Sequence, residues 1–214
     1  MRELGRRFEV STSIALEAEY GPTVLLVKRL EAGAQPDVVA LTKEKVDQYA
    51  GEGAIAAGSA VDLVRSFVGV AVKAGSHKPA IATTAEFKRA LLDARSIGYS
   101  RTGASGLFFA ELLKRLGIAD AVNAKATVIP EGFTAELAAS GKVDLAIQQV
   151  SELMAVPGVE IVGPLPREIE PGSLFSVGIW AASSRQAEAA RLIAFLASAE
   201  AASVIRQFGL EPLT

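Results

Sequence analysis

The 214-residue chain carries 22 Lys+Arg against 24 Asp+Glu, a formal charge of -2, with one histidine, no cysteine and half its residues hydrophobic. That length fits one large domain or two small lobes around a sizeable core, and the near-neutral balance lacks the basic footprint of a nucleic-acid binder. Without cysteine there is no disulfide, zinc-thiolate site or thiol catalysis, and a lone His77 builds no multi-histidine site, so only carboxylates remain for a hard cation.

The N-terminus, MRELGRRFEV, is too charged for the apolar run of a secretory signal, and no stretch reaches the roughly 18 apolar residues of a spanning helix. The expectation is a soluble polypeptide with no membrane insertion. Ile14, Leu16, Ala18 and Tyr20 alternate with Ala15, Glu17 and Glu19, which predicts a half-buried strand. A helix is expected from Gly21-Pro22-Thr23 to Leu30, stopped by Gly33. Asp37–Leu41 reads as a buried strand, Lys43–Ala50 as a helix, and Phe67–Val72 as a strand. Thr83-Thr84-Ala85-Glu86 has the form of a capping box opening a helix.

Ser96–Ser100 is a predicted strand, followed by the loop Arg101–Gly106 and a helix ending at Gly117. Ala126–Ile129, Val143–Ile147, Val159–Val162 and Leu174–Ala181 read as further strands, with a helix at Thr134–Ala139 and a proline-punctuated connector from Pro164 to Pro171. Ser183–Gln186 reads as a second capping box before two helices split near Ser198. Strands alternating with helices argue for parallel sheets in an α/β protein. The chain opens inside a helix where a βαβ unit opens with a strand. A missing first strand would leave an open edge, so poor solubility or strand-mediated dimerisation is expected of this form.

Two strand-to-helix junctions, Tyr20–Thr23 and Ser100–Gly106, are candidate anion cradles. The first N–H groups of a helix are unpaired, and small hydroxyl residues let an anion approach them. Ordinary capping is the alternative at each. Neither has the spacing of a nucleotide-binding loop. Arg101 could pair with a carboxylate or oxyanion, or be simply solvated. Gln148-Gln149 ends a strand where open α/β sheets bind ligands, and alternation lets at most one of the two amides face a cleft. His77, beside Ser76 in a polar connector, reads as a loop residue before it reads as a catalytic partner of Ser76 or Ser105. Trp180 reads as core.

From Leu4 to Leu213 these stretches resemble periplasmic substrate-binding proteins of the molybdate-binding type. The resemblance is carried by Phe8-Glu9, Gly33–Val39, Ser105–Phe108, Gly141–Ile147, Phe195–Ala201 and Phe208–Leu213. It implies a two-lobed type II periplasmic-binding-protein fold of the α/β class with a crossing hinge. One lobe would comprise residues 1–74 plus 173–214, the other 75–172. A small anion, molybdate-like or organic, would be held by backbone N–H groups and hydroxyls and delivered to an ABC transporter permease after hinge closure, in the periplasm. No cofactor and no metal are implied.

By position the resemblance assigns the ligand to Thr23, Ser105 and Gln149, and the loop reading adds Ser100, Arg101, Gly103 and Gly106 as ligand-binding candidates. Gln149 stands where molybdate binders carry a tyrosine, and Arg101 adds a charge those sites do not use. Both departures lean toward a small organic or sulfur oxyanion. A cytoplasmic ligand-sensing domain of a regulator shares the same form and is the alternative. An enzyme on this fold would have neither a cysteine nucleophile nor a histidine cluster.

Overall fold

The computed structural model describes residues 2–21, 23–101, 103–130 and 132–214. The chain divides into two compact units: residues up to Arg65 with 173–207 and 211–214 in the first, and 66–172 with 208–210 in the second. Strand Val68–Lys73, which the sequence reading gave to the first lobe, therefore packs within the second unit.

In the first unit, α1 (Arg2–Thr12) turns Leu4 and Phe8 inward, and the Phe8 ring lies 5.7 Å from that of Phe195. Residues 14–20 form no strand. The Leu16 N–H donates to Glu9 Oε1 at 2.8 Å and the Ile14 N–H to Thr12 Oγ1 at 3.2 Å, so polar side chains of α1 satisfy this backbone instead of a ladder. The alternation of Ile14 and Leu16 reports packing on α1, where Leu16 covers Gly5. Then come α2 (Thr23–Glu31), β1 (Val38–Thr42), α3 (Lys43–Gly51) and β2 (Val61–Ser66), whose last residue belongs to the second unit. Pro22, expected to open α2, lies outside the described residues. Gly33 adopts φ +97°, the left-handed conformation in which glycine ends helices without strain.

β2 escapes the sequence reading because Asp62 and Arg65 interrupt its apolar run. Both are satisfied within the unit: Asp62 accepts from Ser176 Oγ at 2.6 Å and pairs with Lys43 at 3.3 Å, and Arg65 pairs with Glu211 at 3.5 Å.

The second unit follows as β3 (Val68–Lys73), α4 (Thr84–Asp93), β4 (Ile97–Ser100), α5 (Ala104–Arg115), α6 (Ala119–Asn123), β5 (Ala126–Ile129), α7 (Thr134–Ala139), β6 (Leu145–Gln149), α8 (Val150–Leu153) and β7 (Val159–Pro164). Its sheet has the order β5-β4-β6-β3-β7. The strands carry large and small residues on opposite faces. Val68, Val70 and Val72 of β3, Ile97 and Tyr99 of β4, and Leu145 and Ile147 of β6 bury against Phe87 and Leu91 of α4 and Phe109, Leu112 and Leu113 of α5. Ala71 and Ala146 face the other way, onto Ala135 and Ala138 of α7 and Leu153 of α8. Small residues let α7 and α8 approach closely: a Cβ on Gly69 would fall 2.6 Å from Val150 Cγ2.

The chain then returns to the first unit as β8 (Ser173–Ile179), α9 (Gln186–Leu196), α10 (Ala199–Gln207) and β9 (Glu211–Pro212), giving a sheet of order β1-β8-β2-β9. Its core joins Val39 and Leu41 of β1 to Val27 of α2 and Val46 of α3, with Trp180 edge-on to Tyr49 at 5.6 Å.

The sheets are mixed rather than parallel. Among the described registers β4 runs parallel to β5 and β6, whereas β3 is antiparallel to β6 and β7, β1 to β8, and β2 to β9. Parallel pairing needs a crossover helix, and β3 follows β2 after one residue, without one. The Thr83 capping box forms, with Glu86 N–H on Thr83 Oγ1 at 3.2 Å and Thr83 N–H on Glu86 Oε2 at 3.1 Å. The one expected at Ser183 does not. Arg185 is the N-cap of α9, and Ser183 Oγ, while donating to Asp37 at 2.6 Å, accepts from the N–H of Arg185 itself at 3.0 Å, two residues on, rather than from a donor inside the helix.

Candidate functional site

The parallel register aligns Ser100 with Ile129 and Gly98 with Ala146, so β4, β5 and β6 end at one edge of the second unit's sheet. β3 begins there, since Val68 pairs with Gln149, and β7 ends there, since Gly69 pairs with Pro164. This edge gathers Ser66-Phe67, Ser100–Gly106, Gly132–Thr134, Gln148-Gln149 and Pro164–Arg167. Six of the seven candidate residues lie on it. Thr23 belongs to the first unit, where it opens α2.

Ser100 is the last residue of β4, and its side chain turns under the first turn of α5. A Cβ on Gly103 would fall 2.7 Å from Ser100 Oγ and one on Gly106 2.5 Å from it. The hydroxyl is enclosed by two residues that have no side chain to spare. Ser100 is 3% exposed, and its Oγ has no hydrogen-bond partner among the described residues. The N-cap of α5 is Gly103, and no side chain caps the helix; its first i→i−4 bond is made by the Leu107 N–H to the Gly103 carbonyl at 3.0 Å. The N–H groups of Ala104, Ser105 and Gly106 precede that bond. Ser105 is buried, and Arg101 is exposed and forms no ion pair among the described residues. Thr102, inside this loop, lies outside the described residues.

The paired glutamines divide their work by alternation. Gln148 faces α7: its Oε1 accepts from Thr134 N–H at 2.8 Å and Thr134 Oγ1 at 3.0 Å, and its Nε2 donates to the Gly132 carbonyl at 3.0 Å. That amide ties the start of α7 to β6, and it also bonds the Glu152 carboxyl. Gln149, on the face of Leu145 and Ile147, is half-buried, and its Oε1 accepts from Ser66 Oγ at 2.9 Å. With Oε1 on Ser66, Nε2 is the donor that this bond leaves unengaged.

Ser66 and Arg167 were not legible as site residues. Arg167 stands in the proline-rich connector, its guanidinium carbon 3.6 Å from the centre of the Phe67 ring. Glu170, in the same connector, is 4% exposed; backbone N–H groups of Val68 and Gly172 reach its carboxylate, and one oxygen has no hydrogen-bond partner. Burial pushes its pKa above the usual carboxylate range, against the opposing field of Arg167. Burial likewise raises Glu152, at the start of α8. Both groups take up protons on folding, so their stabilising contribution is complete below the ordinary value of 4.5 and is lost as pH rises through the folded value. Glu170→Gln is therefore expected to raise the melting temperature at pH 7.5 and to change it little at pH 4. Melts at both pH values check this, and an equal shift at both would contradict it.

His77 is exposed in the β3–α4 connector. Among the described residues no three His, Asp or Glu side chains converge to hold a metal, and no helix is long and apolar enough to cross a membrane.

Each unit is α/β, and the second carries a helix start without a side-chain cap beside an amide-bearing sheet edge. The chain belongs to the family described as bacterial extracellular solute-binding protein, whose model matches residues 1–211. It is 35% identical over 220 residues to an aconitate isomerase from Pseudomonas sp., covering 100% of this chain and 83% of the relative. Among solved structures it is similar to a substrate-binding domain, assigned to a molybdenum ABC transporter, from Clostridium difficile (TM-score 0.83, 17% identity, 100% of this chain and 93% of that one). It is also similar to the periplasmic molybdate-binding protein of Azotobacter vinelandii (TM-score 0.71, 20% identity, 98% and 92%). A tungstate-binding protein from Desulfovibrio alaskensis G20 gives TM-score 0.72 at 14% identity, with 99% and 92% covered. These structural likenesses show the fold: two-lobed, α/β, of the periplasmic binding type.

Proposed function

We propose that this protein is a periplasmic receptor for a small organic anion, which it presents to an ABC transporter permease. The proposed anion site is the second unit's sheet edge with Ser100, Arg101, Gly103, Ser105, Gly106 and Gln149; Thr23, which opens α2 in the first unit, is a candidate by its position in the sequence. The observation that carries the reading is the enclosed, unpartnered Ser100 hydroxyl under the uncapped start of α5. A buried polar group left without a partner costs about 1–3 kcal/mol. A ligand oxygen that satisfies it, along with the N–H groups of Ser105 and Gly106, recovers that free energy only on binding.

Carboxylates are preferred over tetrahedral metal oxyanions for two reasons. Gln149 offers a single oriented amide donor, and Arg101 offers the planar fork that matches a carboxylate. Aconitate, named in the Pseudomonas relative, is the first compound to test. The same relative favours a second reading, isomerisation of the bound acid. Glu152 and Glu170 are the carboxyls at this edge that burial disposes to hold a proton. Proton NMR of aconitate incubated with the protein separates the readings, since a receptor leaves the isomer unchanged.

Ser100→Ala tests the site itself. Removing the unpartnered hydroxyl is expected to stabilise the ligand-free protein by about 1 kcal/mol and to weaken the bound anion about tenfold. Calorimetric titration with aconitate, beside melts of both proteins, checks it. Unchanged affinity would remove Ser100 from the site.

A further inference from the structure

We infer that Glu152 couples anion binding at the second unit's sheet edge to the uptake of a proton; the inference rests on the reading of that edge as an anion site. Gln149, the last residue of β6, is the N-cap of α8, and its side chain does not cap that helix, since its Oε1 accepts from Ser66 Oγ at 2.9 Å. Glu152 stands three positions on, where a glutamate reaches back to the N–H of the cap residue. Its carboxyl accepts from the Gln149 N–H and from the Gln148 amide. The acid is thereby fixed against the backbone of the residue whose Nε2 the anion site uses.

No cation matches it among the described residues. α8 packs against β3, β6, β7 and α7, and the charged residues of those elements lie elsewhere. Lys73 ends β3, Asp144 precedes β6 and Glu160 stands near the start of β7, all at the sheet end opposite Gln149. There Asp144 pairs with Arg95 at 2.8 Å and Glu160 with Lys78 at 2.9 Å. Glu136 of α7 is exposed, and residues 208–210, where Gly209 leaves no room for a side chain beside Val150 and Met154, carry no charge. Of the other acids near this edge, Glu168 accepts from the Thr84 N–H at 2.8 Å, and Glu170 lies in the field of Arg167. Glu152 meets only amides, and burial raises its pKa.

An anion on Gln149 Nε2 adds a second negative charge. It sits one glutamine side chain from the Glu152 carboxyl, comparable to the Debye length, ~8 Å at physiological ionic strength, and a partly buried pair is screened less than an exposed one. Gln149 is neutral and Arg101 stands one strand away, after β4. The two negative groups therefore destabilise one another, and the bound anion raises the proton affinity of Glu152. By reciprocity the proton favours the anion. Affinity is full below the pKa of Glu152 in the free protein and falls as pH rises through its value in the complex, with a slope of at most about tenfold per pH unit for one proton. Glu152 is a positioning residue, acting on the ligand through Gln149.

The test is calorimetric titration with trans-aconitate from pH 5 to pH 8.5 of wild type, Glu152→Gln and Glu170→Gln. The ionisation of the ligand itself is common to all three proteins and cancels in their ratios. Glutamine at 152 keeps an acceptor for both amide donors but cannot ionise. The affinity of wild type relative to Glu152→Gln is expected to fall about tenfold across the transition, the size of a one-unit rise in pKa on binding. A ratio that stays level with pH, or a slope that Glu170→Gln removes and Glu152→Gln does not, overturns the coupling and leaves the anion site standing where Ser100→Ala still weakens binding. Binding heats in two buffers of different ionisation enthalpy read proton uptake from wild type alone, so a Glu152→Gln that does not fold changes nothing: no uptake at any pH overturns the coupling. If neither trans-aconitate nor succinate nor acetate binds wild type at any pH, site and coupling fall together.

Discussion

Gly106→Ala is expected to lower the melting temperature by about 6–12 °C, reading about 3 kcal/mol of overpacking in a chain of this size, and to abolish anion binding. The added Cβ would overlap the Ser100 carbonyl as well as lie 2.5 Å from Ser100 Oγ. A side chain can rotate aside, but the carbonyl at the end of β4 is held by the sheet, so the first turn of α5 must move. That movement displaces the N–H groups of Ser105 and Gly106, the donors of the proposed site. Gly103→Ala is the internal control, because its Cβ would meet only the Ser100 side chain, at 2.7 and 3.7 Å. Combining it with Ser100→Ala should relieve most of its smaller cost. Scanning calorimetry of the single variants and the pair checks the sequence of effects; a Gly106→Ala protein that melts with wild type would mean that the turn is not rigid.

The same junction shows what a sequence discloses. Ser100–Gly106 is legible as a strand-to-helix junction of small residues, for which ordinary capping is the alternative to an anion cradle, and the register puts it at the sheet edge with Gln149. Gln148-Gln149 is half legible: alternation says that one amide turns away, but not which, and only the Thr134 partner settles it. Arg167 and Ser66 are not legible. Their placement depends on the antiparallel insertion of β3 between β6 and β7, which strand–helix alternation does not encode. Residues 14–20 mislead for the converse reason, since alternation reports one buried face and is silent about whether a partner strand or a helix covers it. β2 is lost because its charged side chains find their partners far along the chain, Asp62 in the hydroxyl of Ser176 and Arg65 in Glu211.

Gln148→Leu and Gln149→Ala should part company completely, although the residues are adjacent and chemically identical. Leucine at 148 strands the N–H of Thr134, a fully buried residue of α7, while the Thr134 hydroxyl keeps the Ile147 carbonyl at 3.2 Å and the carbonyl of exposed Gly132 can turn to water. The N–H is one of the helix's first donors, and without an acceptor it bears its full desolvation cost, about 1–3 kcal/mol. Gln149→Ala removes only the bond from Ser66, at a half-buried site that water can reach. Its stability cost should stay under about 1 kcal/mol, while anion affinity falls about tenfold with the loss of the Nε2 donor. Chemical denaturation and ligand titration of both variants give four numbers, and the pattern expected is a stability loss without direct ligand contact at 148 and an affinity loss without unfolding at 149. A Gln149→Ala protein that keeps full affinity would move the ligand off β6.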